Sequence, residues 1–67
     1  MKLMWDKIVK LLFKIGYKDK EISLIVMSCC QTENKAEEMI DYLEKNINNK
    51  LTRNDIIEEA TRIRAKH

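Results

Sequence analysis

The nine residues Ile22-Ser23-Leu24-Ile25-Val26-Met27-Ser28-Cys29-Cys30 carry seven apolar side chains. A segment this hydrophobic on nearly every side predicts a helix enclosed by its neighbours, the central and most buried one of the chain. Isoleucine and valine also favour strands, but no second stretch of the chain offers a strand to pair with it. The 67 residues contain no proline and one glycine, which extends the helical expectation over the whole length. The expected fold is therefore all-α: a compact three-helix bundle with an appended fourth helix, forming one small domain over residues 1–67. Ile22–Cys30 is its expected centre.

Upstream, apolar residues recur at helical spacing from about Leu3 to Ile15: Met4/Trp5, Ile8, Leu11/Leu12 and Ile15, with Val9 and Phe13 widening the stripe. Lys2, Asp6/Lys7, Lys10 and Lys14 fall on the opposite face. Gly16 follows at the place where a helix stops, since glycine enters the left-handed region without a side-chain clash. Asp19 then reads as the N-cap of the next helix, with Glu21 in its first turn.

Downstream, Thr32 reads as the N-cap of a third helix. Its inner stripe is Ala36, Met39/Ile40, Leu43 and Ile47, and Tyr42 lies just off it. Asn46 to Lys50 form a polar turn. Thr52 and Asp55 have the spacing of a capping box, and Leu51 and Ile56 that of a hydrophobic staple. Ile56, Ala60 and Ile63 make the buried stripe of a fourth helix, with Glu58 and Arg62 placed as an i,i+4 ion pair.

The net charge of +2 conceals a segregation along the chain. Residues 1–20 hold six lysines against two aspartates, residues 21–49 six acids against two lysines, and residues 50–67 five bases against three acids. Cys29 and Cys30 are adjacent, so they close no useful loop, and a disulfide between them would be strained. Two reduced, buried thiols and a cytoplasmic location are the expectation. No apolar run approaches the ~20 residues a membrane span requires, and no small-residue cleavage site follows the amphipathic start.

Little in the chain suggests enzyme chemistry. The only histidine is His67, so no cysteine or serine has a placeable base. The acid pairs Glu37/Glu38 and Glu58/Glu59 sit on polar helix faces, about 100° apart around the axis. A single glycine excludes a glycine-rich phosphate loop, and no four-ligand zinc set exists. No catalytic residue, metal or cofactor is expected, which leaves binding.

Ile15-Gly16-Tyr17 and Met39-Ile40-Asp41-Tyr42-Leu43 resemble the loop and third-helix end of the ubiquitin-associated (UBA-like) three-helix bundle. Ile15 stands where that family usually has methionine, and the two motifs are about three residues further apart. The resemblance implies a protein-interaction module whose partner-binding surface is Ile15, Gly16, Tyr17, Tyr42 and Leu43. Ile15 to Ser23 also resembles a DNA-binding helix-turn-helix, which implies nucleic-acid contacts from Lys18, Lys20 and Ser23. Against this second reading, Leu24 and Met27 offer no hydrogen bonds to base edges, and Asp19 and Glu21 would repel phosphate.

The preferred expectation is a protein partner, met by large amphipathic side chains such as Trp5, Tyr17 and Tyr42. Duplex DNA comes second. A helical protein that completes its core by self-association comes third. The expected state is a monomer or weak homodimer, with no membrane partner.

Overall fold

Four caps punctuate the chain into four helices, as seen in a computed structural model that describes residues 2–66; Met1, the side chain of Lys2 and His67 lie outside the described residues. The helices are α1 (Lys2–Ile15), α2 (Lys20–Cys29), α3 (Glu33–Lys45) and α4 (Arg53–Arg64). Among the described residues there are no strands.

Each boundary has a local cause. Gly16 adopts φ +117°. The Gly16 amide donates to the Phe13 carbonyl at 3.1 Å, and the Tyr17 amide to the Leu12 carbonyl at 2.8 Å. This Schellman closure satisfies two carbonyls that the end of α1 would otherwise leave orphaned. Asp19 caps α2 by accepting from the Glu21 amide at 2.8 Å. Thr32 caps α3 through the Lys35 amide at 3.2 Å. At α4 the capping box is complete: Thr52 Oγ1 accepts from the Asp55 amide at 3.1 Å, and Asp55 Oδ2 from the Thr52 amide at 2.9 Å.

The helices close a ring. The most extensive pairings are α1 with α3 and α2 with α4, and contacts of α3 with α4 and α1 with α2 complete the circuit. The core inside it is Ile8, Leu11 and Leu12 of α1, Ile22, Val26 and Cys29 of α2 with Cys30, Ala36, Met39, Ile40 and Leu43 of α3, and Ile56, Ala60 and Ile63 of α4. The α4 residues are fully buried, so the fourth helix is an integral wall of the core. The radius of gyration is 10.4 Å, close to the ~11 Å typical of a folded chain of this length.

The ring corrects the expected place of Ile22–Cys30. A ring of four has no central member, and each helix buries only the stripe that faces inward. For α2 that stripe is Ile22, Val26 and Cys29, at i, i+4 and i+7. Ser23, Ile25 and Met27 are half-buried, and Leu24 is 65% exposed. Val9 and Phe13 likewise sit at the margin of the α1 stripe rather than within it, Phe13 being 45% exposed.

Polar contacts tie the ring together. The Trp5 indole Nε1 donates to the Cys30 carbonyl at 3.3 Å, joining α1 to the end of α2. The Lys35 ammonium donates to the Arg64 carbonyl at 2.9 Å, a favourable charge at the C-terminus of α4. Arg62 pairs with Glu59 through two of its guanidinium nitrogens, Nε and Nη2, rather than with Glu58. The Glu59 side chain is only 18% exposed, and a shielded carboxylate gains more from a two-pronged partner than an open one. That hydrogen bond holds the Glu59 carboxyl below its ordinary value, against a smaller opposing effect of burial. Both cysteines are unbridged and buried. Burial, reinforced by the neighbouring Cys29, pushes the Cys30 thiol up to about 11, which keeps it protonated and unreactive.

Candidate functional site

The surface between α1 and α2 grows out of the same ring geometry. Successive helical residues turn by about 100°, so Val9 and Phe13 emerge on the flank of α1 that lies beyond Leu12. Leu24 emerges about 200° around α2 from Ile22, on its outer side. Val9, Phe13 and Leu24 line one shallow groove, together with Lys18, Lys20 and Ser23. Of the three large hydrophobic residues exposed among the described residues, two, Phe13 and Leu24, belong to it.

Its charge is set by what happens beside it. Asp19 and Glu21 flank Lys20 in sequence and would neutralise it. Both turn instead to Arg53 at the start of α4: Nη1 lies 2.5 Å from Asp19 Oδ2 and Nη2 lies 3.3 Å from Glu21 Oε1. The Arg53 hydrogen bond, aided by the Glu21 amide, holds the Asp19 carboxyl below its ordinary value. Lys18 and Lys20 enter no ion pair among the described residues. The groove is therefore an apolar floor with two free ammonium groups and no acid of its own.

Of the residues expected to meet a partner, Leu43 is fully buried and offers nothing to another molecule; it sits on the inward stripe of α3, where a UBA-like surface would need it outside. Ile15 is half-buried against the core, and Gly16 is exposed but serves the α1 terminus. The Tyr17 ring packs on the core, and its hydroxyl donates to the Leu51 carbonyl at 2.7 Å, 34 residues away. It staples the α1–α2 connection to the α3–α4 connection. Tyr42 faces α4, where burial and then the charges of Glu59, Asp55 and Glu58 raise its phenol above the ordinary value. The two tyrosines thus serve different seams of the bundle.

The residues named for nucleic-acid contact fare differently. Lys18, Lys20 and Ser23 are brought together, all in the α1–α2 groove. The acids that argued against them, Asp19 and Glu21, are occupied by Arg53. Val9, Phe13 and Leu24 were not expected at a site. The signal was present in their phase, since at about 100° per residue Phe13 and Leu24 sit about 100° or more from the nearest core residue of their own helix and Val9 about 60° from Leu12, on the same flank as Phe13.

Among the described residues no cluster of three or more histidine, cysteine, aspartate or glutamate side chains is placed to hold a metal ion. No described helix is long and apolar enough to cross a membrane. What the fold and the groove define is a four-helix all-α protein with an amphipathic surface depression. Comparison with family profiles, curated proteins and solved structures gives no match to this chain.

Proposed function

We propose that this chain is a small non-enzymatic protein-interaction module whose docking surface is the α1–α2 groove. The occupant is a protein segment that sets carboxylates beside apolar side chains. One observation carries the reading: Phe13 and Leu24 stand exposed beside Lys18 and Lys20, which enter no ion pair among the described residues. Apolar contact supplies affinity there, and the paired charges supply register and selectivity. The glycine turn and helical form of a UBA-like bundle support the same class of function. The surface is displaced from that family's, because Tyr17 and Leu43 are engaged in the fold.

Isotope-labelled protein titrated with a synthetic amphipathic peptide tests this. The peptide carries leucines at i, i+3, i+4 and i+7 and glutamates on the flanks. Amide shifts confined to Val9, Phe13, Lys18, Lys20, Ser23 and Leu24, and lost in Leu24→Asp, support the proposal. A random-sequence DNA duplex forms the second arm, prompted by the grouping of Lys18, Lys20 and Ser23. Duplex binding that falls steeply with salt, with no response to the peptide, overturns the protein reading in favour of nucleic acid.

A further inference from the structure

A second groove lies on the other flank of α1. Leu3, Met4 and Lys7 of α1 and Glu37, Ile40, Asp41 and Glu44 of α3 line it. Leu3, 83% exposed, is the remaining large exposed hydrophobic residue among those described. All three such residues therefore fall in just two depressions, one on each side of the first helix.

The two have opposite charge. The α1–α2 groove carries two ammonium groups and no acid, a net +2. The α1–α3 groove carries three carboxylates and one ammonium, a net −2. Glu37 enters no ion pair among the described residues, while Asp41 and Glu44 pair with Lys45 and Lys7. Those pairs are exposed, with side chains about half open or more, and exposed pairs exchange partners at little cost. Each groove also presents a projecting leucine, Leu24 in one and Leu3 in the other.

We propose that the acidic, leucine-bearing segment received by the α1–α2 groove is the α1–α3 face of a second copy of this chain. This rests on the groove being a docking surface, as above, and it names the partner. Twofold pairing of either face with itself would set like charges together, so the contact is heterologous, head to tail. Leu3 of one copy enters between Val9, Phe13 and Leu24 of the next, and Glu37 and Asp41 meet Lys18 and Lys20. A heterologous contact leaves one free face at each end of a pair, so assembly continues past two copies, into a closed ring or an open chain.

Sedimentation velocity of the 67-residue chain, from micromolar to about 1 mM, tests this at low and high salt. The expected result is a mass that grows with concentration past the dimer and falls back as salt rises. Leu24→Asp and Leu3→Asp each block one face at an exposed position, so both are expected to keep the wild-type helical spectrum. Each alone stays monomeric. Mixed, the intact α1–α3 face of the first meets the intact groove of the second, while the two blocked faces have lost their leucines and would have to bury an aspartate against an apolar floor. The mixture therefore stops at a doubled mass. A wild type that stays monomeric throughout overturns self-assembly, and so does a mixture that stays monomeric. Peptide binding to the same wild-type sample then decides separately whether the groove remains a docking surface.

Discussion

Replacing Tyr17 by phenylalanine separates a staple of the fold from an anchor for a partner. The substitution removes one oxygen and keeps the ring that packs on the core. What is lost is the 2.7 Å hydrogen bond to the Leu51 carbonyl. A bond of this kind contributes about 1 kcal/mol net, and the carbonyl it leaves can turn to water in a half-exposed loop. A bundle of this size has about 3–5 kcal/mol of net stability, so the change removes roughly a fifth to a third of it. With a urea m-value near 1 kcal/mol/M for so small a chain, the midpoint falls by about 1 M. The melting temperature falls by about 4–8 °C. Equilibrium urea unfolding followed by far-UV circular dichroism reads both midpoint and slope. The slope stays unchanged, since nearly the same surface is exposed on unfolding. If the midpoints of the two proteins coincide, the hydroxyl contributes nothing to the fold, and Tyr17 returns to the set of residues free to meet a partner.

The orientation of α2 is tested by two substitutions two residues apart. Leu24→Ser changes unfolding free energy by no more than about 0.5 kcal/mol, whereas Val26→Ala, at a fully buried position, costs about 2–3 kcal/mol in the same urea assay; equal costs would mean that α2 is not turned as described. Gly16→Ala meets no atom within 4 Å, so any loss comes from forcing φ +117° on a residue with a side chain; about 1–2 kcal/mol is expected in thermal unfolding, and an unchanged melt would refute the strain. Asp19→Asn keeps the cap, since asparagine caps as well as aspartate, but breaks the pairing with Arg53. Because the folded carboxyl lies below its ordinary value of 3.8, its contribution is full above that pH and is lost as pH falls through the lowered value. The stability gap between wild type and variant is therefore expected at neutral pH and should close in strong acid. A gap of the same size at both extremes would show that the Arg53 pairing is not its source.

The helix ends were legible because their signals are local. Gly16, Asp19, Thr32 and the Thr52/Asp55 pair each act on backbone groups within four residues, so the sequence alone contains both partners of each interaction. The inward stripes of α3 and α4 were legible for a related reason: each helix is amphipathic enough to leave one choice. Interactions between distant segments were not legible. Nothing near Tyr17 points to Leu51, and nothing near Asp19 points to Arg53, each 34 residues away. Glu58 and Glu59 both lie within reach of Arg62 along the helix, and only the packing of α4 against its neighbours shields Glu59 and decides between them.

The candidate site was hidden by a more general ambiguity. A helix with apolar side chains on every side is compatible with two arrangements: one in which neighbours surround it, and one in which it stands in a wall and keeps a spare face. Hydrophobicity alone cannot separate them, because both bury the same stripe. The observed packing can. The four described helices form one ring with no second layer around any member, so the excess apolar surface of α2 faces outward. Leu24 adds nothing to the core from there, and a polar residue would serve the helix as well. The same holds for Phe13 on α1. Meanwhile Arg53 draws away the two acids that would have balanced Lys20, so the pairing that fastens α2 to α4 also leaves the groove its positive charge. Fold stability and surface character are thereby coupled through one guanidinium. Arg53→Met should loosen the α2–α4 contact and release Asp19 and Glu21 toward the groove, weakening the binding of an acidic segment even where the helices remain folded.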